Sequence, residues 1–161
     1  PLLALNDHPD PLLVDQFLLT FSVLAALTAK SAVNAASPEQ LIQLKKLVAE
    51  LAGQADDFEA MQPHWRELLE AMSAIADNLV VRLISNDLKA QFVGQMMKLG
   101  IRPELKKGSR DRLLTTLRVS LNKCDGEIAG QAMQDHFEEF REAVGEAIRF
   151  RADKPLNSAV N

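Results

Sequence analysis

The chain predicts an all-α fold, an antiparallel bundle of six or seven helices, and three observations carry that expectation. Apolar residues recur three and four apart through most of the 161 residues, the spacing of one face of a helix. No stretch alternates with the period of two that a half-buried strand requires, and tyrosine is absent. The connections are short and hold helix starters and stoppers, and no fixed-period repeat suggests a solenoid.

The first ten residues, rich in turn formers around His8, read as a linker. Asp10 followed by Pro11 supplies an N-cap and N1 pair, so the first helix starts there. Leu13, Phe17, Phe21, Leu24, Ala25 and Thr28 line one side of it and Leu12, Leu19, Val23 and Leu27 others. A helix apolar nearly all round is expected to be central. Ser37, Pro38 and Gln40 form a capping box that opens the second helix, which carries Leu41, Leu44, Leu47, Val48 and Leu51 inward and fades at Gly53.

Asp56 and Asp57 start a short helical turn around Phe58 and Met61, and Pro63 marks a fresh start. From His64 the stripe Trp65, Leu68, Leu69, Met72, Ile75, Ala76, Leu79, Val80, Leu83 runs on, with Asn78 a mild interruption and a break expected at Ser85-Asn86-Asp87. Phe92, Val93, Met96 and Met97 continue to Leu99, with Gly100 in the C′ position. After a loop through Pro103 and Lys106-Lys107-Gly108, Ser109 or Asp111 caps a helix with Leu113, Leu114, Leu117 and Leu121 inward. Asp125-Gly126 separates it from the last helix, which frays near Asp153, leaving 153–161 as a tail.

That last helix organises the rest. Ile128, Ala129, Ala132, Met133, His136, Phe137, Phe140 and Val144 share one broad apolar face, while Glu127, Gln131, Glu138, Glu142 and Glu146 lie mostly outside it. An imidazole there is either a core residue with one hydrogen-bond partner or a group looking into a cavity, and periodicity favours the core.

Composition narrows the function classes. Hydrophobic residues are 47% and charged residues 25%, ordinary for a soluble globular domain. The net charge of −4 offers no domain-wide positive field for nucleic acid. Cys124 is the one cysteine, so no intramolecular disulfide forms, and a reducing compartment fits. The uncharged run from Gln16 to Ala29 is shorter than the ~20 apolar residues of a bilayer span. With no signal-peptide pattern and no initiator methionine, the chain reads as part of a longer cytoplasmic protein with no membrane association.

Nothing assembles a catalytic set, so no enzyme is expected. His8, His64 and His136 share no i, i+4 face, there is no glycine-rich phosphate loop, and Cys124 has no histidine near it in sequence. Trp65-Arg66 is more informative. With Trp65 and Leu69 inward, Arg66 flanks the buried face, either as a helix-pairing arginine or as an anion-holding group at a cavity mouth.

Asp125-x-Glu127-x-Ala129-x-x-Ala132-Met133-x-x-His136-Phe137 resembles the terminal pattern of the effector-binding, dimerising domain of GntR-type transcriptional regulators, in the FadR-like (FCD) group. Trp65-Arg66-x-Leu68 with Ala76-Asp77-Asn78-Leu79 resembles that group's middle motifs, with a spacing longer by about one helical turn. The first helix, from Pro11, and its linker are similar to the fatty-acid-responsive members, and the likeness covers roughly residues 2 to 150.

The resemblance implies a barrel-like bundle enclosing a ligand cavity, a homodimer, and DNA binding only through a winged helix-turn-helix domain N-terminal to this chain. Many members hold a metal with one aspartate and three histidines. Those positions fall on Gln62, Arg66, near Leu114 and on His136, and one imidazole with Gln, Arg and Leu does not make a divalent-metal site, so no metal and no cofactor is expected. Phe21 stands where the group often has an arginine. The ligand-binding set is therefore Phe21, Met72, Leu114 and Met133 as apolar lining, with Gln62, Arg66, Asn78 and His136 as polar groups. It suits a small-molecule effector that is largely apolar with one anionic end, a fatty acid or an acyl-CoA. The rival expectation is a helical structural or interaction module with a filled core.

Overall fold

The computed structural model describes residues 11–54 and 58–152, and among them it has six helices and no strand. The expected linker, the Asp56-Asp57 turn start and the tail lie outside the described residues.

Helix α1 (Pro11–Ala35) packs most extensively on α6 (Gly126–Ala152) and also touches α3 (Phe58–Ala76) and α4 (Leu79–Leu99). Val14, Leu18, Ser22, Ala29, Ala32 and Val33 are buried, and the Ser22 hydroxyl is satisfied by donating to the Leu19 carbonyl at 2.7 Å. The opposite face is open: Leu12, Leu19, Val23 and Leu27 stay exposed. The helix is central in its contacts, but its apolarity all round reports two different faces rather than burial on every side. By length and composition alone α1 is long and apolar enough to cross a membrane.

The capping box of α2 (Pro38–Ala52) forms as expected. Gln40 N–H donates to Ser37 Oγ at 3.2 Å and Ser37 N–H to Gln40 Oε1 at 2.9 Å. Leu44, Leu47, Val48 and Leu51 are buried, facing α3 and α5 (Ser109–Lys123).

Two expected breaks move. Helix α3 runs through Pro63 instead of restarting there, because a proline in the second turn deletes only one backbone bond close to the helix start. The break comes at Asp77, left-handed at φ 49°, and Asn78 then caps α4: its Oδ1 accepts from Val81 N–H at 3.0 Å. Helix α4 continues unbroken through Ser85-Asn86-Asp87. Asp87 there accepts a hydrogen bond from the Gln91 amide at 2.8 Å, and Asn86 and Asp87 are exposed, so the triplet sits on the helix surface without ending it. The left-handed corner also resets the helical phase. Leu79, Val80 and Leu83, expected to continue the inward stripe of α3, are instead 57%, 65% and 60% exposed.

Gly100, at φ 62°, ends α4 as expected, with Ile101 N–H reaching back to the Met96 carbonyl at 3.2 Å. Neither Ser109 nor Asp111 caps α5. Gly108 takes the cap position at φ 82°, and Ser109 is buried. A second non-glycine left-handed residue, Cys124, closes α5, and Ser120 Oγ donates to the Asp125 carbonyl at 2.6 Å to fasten the turn into α6.

The larger core gathers Leu44, Leu51, Leu68, Met72, Leu117, Leu121 and Met133 from α2, α3, α5 and α6, with Ala29 and Ala32 of α1. A smaller one joins Val14 and Leu18 to Met96, Ile101, Val144 and Ile148. Phe140 packs against both.

Candidate functional site

A line of rings crosses the interior from α1 to α3. Phe21 meets Phe137 edge-on at 5.0 Å between centroids, Phe137 meets His136 at 5.6 Å, and His136 meets Trp65 at 5.7 Å. Phe21 forms one wall of a cleft of 260 Å³ between α1, α3, α4 and α6. Ala25, Ala29, Met72 and Met133 complete an apolar floor. The α4 wall is polar: Arg82, Ser85, Asn86 and Lys89, one helical turn apart in pairs, face Glu70 and Ser73 of α3.

The α4 wall gives the cleft two cations, Arg82 and Lys89. Burial holds the Lys89 ammonium below the usual lysine range, the positive charge of Arg66 lowers it further, and Glu70 partly offsets both. Arg82 and Lys89 line the cleft with Glu70 as the carboxylate of its lining, and Arg66 lies close enough to act on the charge of Lys89. The titratable groups of the lining are Glu70, Arg82 and Lys89.

Of the site residues expected from sequence, Phe21, Met72 and Met133 meet in this cleft, and Arg66 reaches it electrostatically. The other four lie elsewhere. Asn78 is the cap of α4, and Gln62 is half-buried on α3, outside the lining. Leu114 lines a separate recess of 380 Å³ between α2 and α5, with Lys45, Val48 and Arg118. His136 is held as a core histidine: its Nδ1 lies 3.5 Å from Ser109 Oγ. Burial pushes its pKa below the ordinary value of 6.5, and the charge of Glu139 partly counteracts this. Glu139 is held low by a hydrogen bond from Ser109, against burial, and by Arg112, whose Nη2 lies 3.1 Å from both carboxylate oxygens.

Arg82 and Lys89 were not legible as site residues, because the expected break at Ser85-Asn86-Asp87 would have put them on different helices. Once α4 is continuous, positions 82, 85, 86 and 89 have the i, i+3, i+4, i+7 spacing of one face. Comparison with protein-family models, with curated proteins and with solved structures finds no match to this chain.

Proposed function

We propose that the six helices form an antiparallel bundle whose cleft is an effector site, in the ligand-sensing and dimerising domain of a GntR/FadR-type transcriptional regulator. The observation that carries this is the pairing of an apolar floor (Phe21, Met72, Met133) with a cationic rim (Arg82, Lys89, Arg66). Such a site suits a molecule with an apolar body and an anionic head, the chemistry of a fatty acid or the acyl end of an acyl-CoA. At 260 Å³ the cleft falls below the ~300–1,000 Å³ of drug-sized ligand pockets, which favours a short or medium chain unless α4 moves outward.

A second feature supports the dimer. Leu12, Leu19, Val23 and Leu27 of α1 and Leu79, Val80, Leu83 and Ile84 of α4 are exposed on two helices that touch one another. Contiguous apolar rows of this kind are uncommon on a monomer and fit a twofold, self-complementary contact. DNA recognition would belong to a separate N-terminal domain, with the effector shifting the relative placement of two such domains only if it binds one arrangement better.

Isothermal titration with fatty acids and acyl-CoAs of increasing chain length, together with native mass spectrometry of the purified protein, tests the reading. Expected are saturable binding of an apolar acid and a dimer mass. A bare protein that binds none of the panel favours the rival, a structural module with a filled core.

A further inference from the structure

Helices α2 and α3 bring together three side chains that the sequence keeps well apart. One ligand atom from each of Glu50, His64 and Glu67 lies within 4.8 Å of the others. We propose that these three residues form a divalent-metal site, with Zn²⁺ as the fitting ion, that ties the C-terminal turns of α2 to the first half of α3. This inference does not rest on the reading of the cleft.

The chemistry of the donor set is the first argument. An imidazole with two carboxylates is a borderline nitrogen–oxygen set that suits zinc and its first-row neighbours better than magnesium or calcium, which favour oxygen alone. His64 and Glu67 stand at i and i+3 on one face of α3, and Glu50 reaches across from α2. Bonds near 2.0–2.1 Å in a tetrahedral site place ligand atoms roughly 3.3 Å apart, so ordinary rotamer adjustment closes the set on an ion.

The lack of competing partners is the second argument. Among the described residues no side-chain hydrogen bond or ion pair engages the His64 imidazole or the Glu67 carboxylate. Among the described residues the Glu50 carboxylate meets only Lys46, at a loose 3.7 Å on an exposed helix face. Two carboxylates and an imidazole therefore converge with only the loose Lys46–Glu50 ion pair for a cation to displace. Glu50 and His64 are half-buried while Glu67 is exposed, so the fourth position faces water. The sequence expectation of no metal rested on the quartet Gln62, Arg66, Leu114 and His136 and on the missing i, i+4 histidine pair; the new set uses one histidine and a second helix.

The test is titration of Zn²⁺ and Co²⁺ into the full chelator-treated chain, followed by calorimetry and by the visible bands of bound Co²⁺. One equivalent is expected, with the intense bands of a four-coordinate site, and with ion at a hundredfold excess over Kd the Tm should rise by roughly 5–10 °C. His64→Ala should weaken binding at least tenfold and Glu67→Gln several-fold, whereas His136→Ala should leave it unchanged. His64→Ala should melt like the parent chain in chelator, which separates lost ligation from lost folding. Absence of a saturable equivalent, or binding that survives His64→Ala through His8 or surface carboxylates, overturns the proposal.

Discussion

The side chain of Asn34, in the last turn of α1, accepts a hydrogen bond at 2.9 Å from the backbone N–H of Gly126, the first residue of α6. The two helices meet so closely here that a Cβ on Gly126 would lie 2.3 Å from the Lys30 carbonyl oxygen, and one on Gly130 3.2 Å from that of Ala26. Lys30 and Glu127 add an ion pair across the same seam. Gly126→Ala therefore forces backbone apart, and a loss of about 1–3 kcal/mol is expected by urea denaturation. Gly145→Ala is the control: its Cβ would meet only the mobile end of Arg149 at 3.8 Å, so it should be neutral or add about 0.5–1 kcal/mol.

Arg141 on α6 makes a two-pronged contact with Asp15 on α1, Nε to Oδ1 at 2.5 Å and Nη2 to Oδ2 at 2.9 Å. The hydrogen bond from Arg141 holds the Asp15 carboxyl below its ordinary value of 3.8, against burial. A lowered carboxylate pKa contributes stability that is present above the unfolded value and lost as pH falls through the folded one. Asp15→Asn should accordingly cost under about 1 kcal/mol near neutrality, given solvent screening of this half-exposed pair, and the difference from wild type should shrink below pH 3.8.

His136 predicts a separate window at higher pH. Its folded pKa lies below the unfolded value of 6.5, so between the two the unfolded chain binds more protons and stability rises with pH. The groups around it are Ser109 on α5, Glu139 and the Phe137 ring on its own helix and the Trp65 ring on α3, with Arg112 of α5 bonded to Glu139. Tm should be level above pH 6.5 and fall as the pH drops below it. In His136→Gln that slope should flatten, while the fall at more acid pH from Asp15 and Glu139 remains.

Arg82→Met and Lys89→Met test the cationic rim. Removing one charge-assisted hydrogen bond costs about 1.5–3 kcal/mol, or roughly 10- to 100-fold in Kd for an anionic ligand. The corresponding neutral alcohol should bind both variants and wild type alike, and equal losses for acid and alcohol would show that the rim does not read charge.

Val23→Glu combined with Leu83→Glu places charges in the exposed rows of α1 and α4. Light scattering should show wild type at twice its 17.8 kDa mass and the double variant at that mass, with unchanged helical circular dichroism because neither site is in the core.

Helix existence was legible nearly everywhere, since burial on one face writes a 3.6-residue period into the sequence. Helix joints were less so. Pro63 and Ser85-Asn86-Asp87 carry stop signals that the backbone overrides, and the true corner depends on Asp77 adopting a left-handed conformation, which aspartate tolerates without requiring. The site followed the joints. Phe21, Met72 and Met133 were found because they lie on strongly periodic faces, whereas Arg82 and Lys89 needed the phase of α4, and the Glu50, His64 and Glu67 cluster needed the packing of two helices.

The exposed rows on α1 and α4 also bear on how the isolated chain behaves as a colloid. Copies are kept apart at pH 7 by a net charge of only −4, and that repulsion vanishes near pH 5.4. The apolar rows do not titrate, so their attraction is the same at both pH values. Wherever they are not covered by a matching surface, solubility should pass through a sharp minimum near pH 5.4, and moderate salt at pH 7 should lower it by screening the charge that remains.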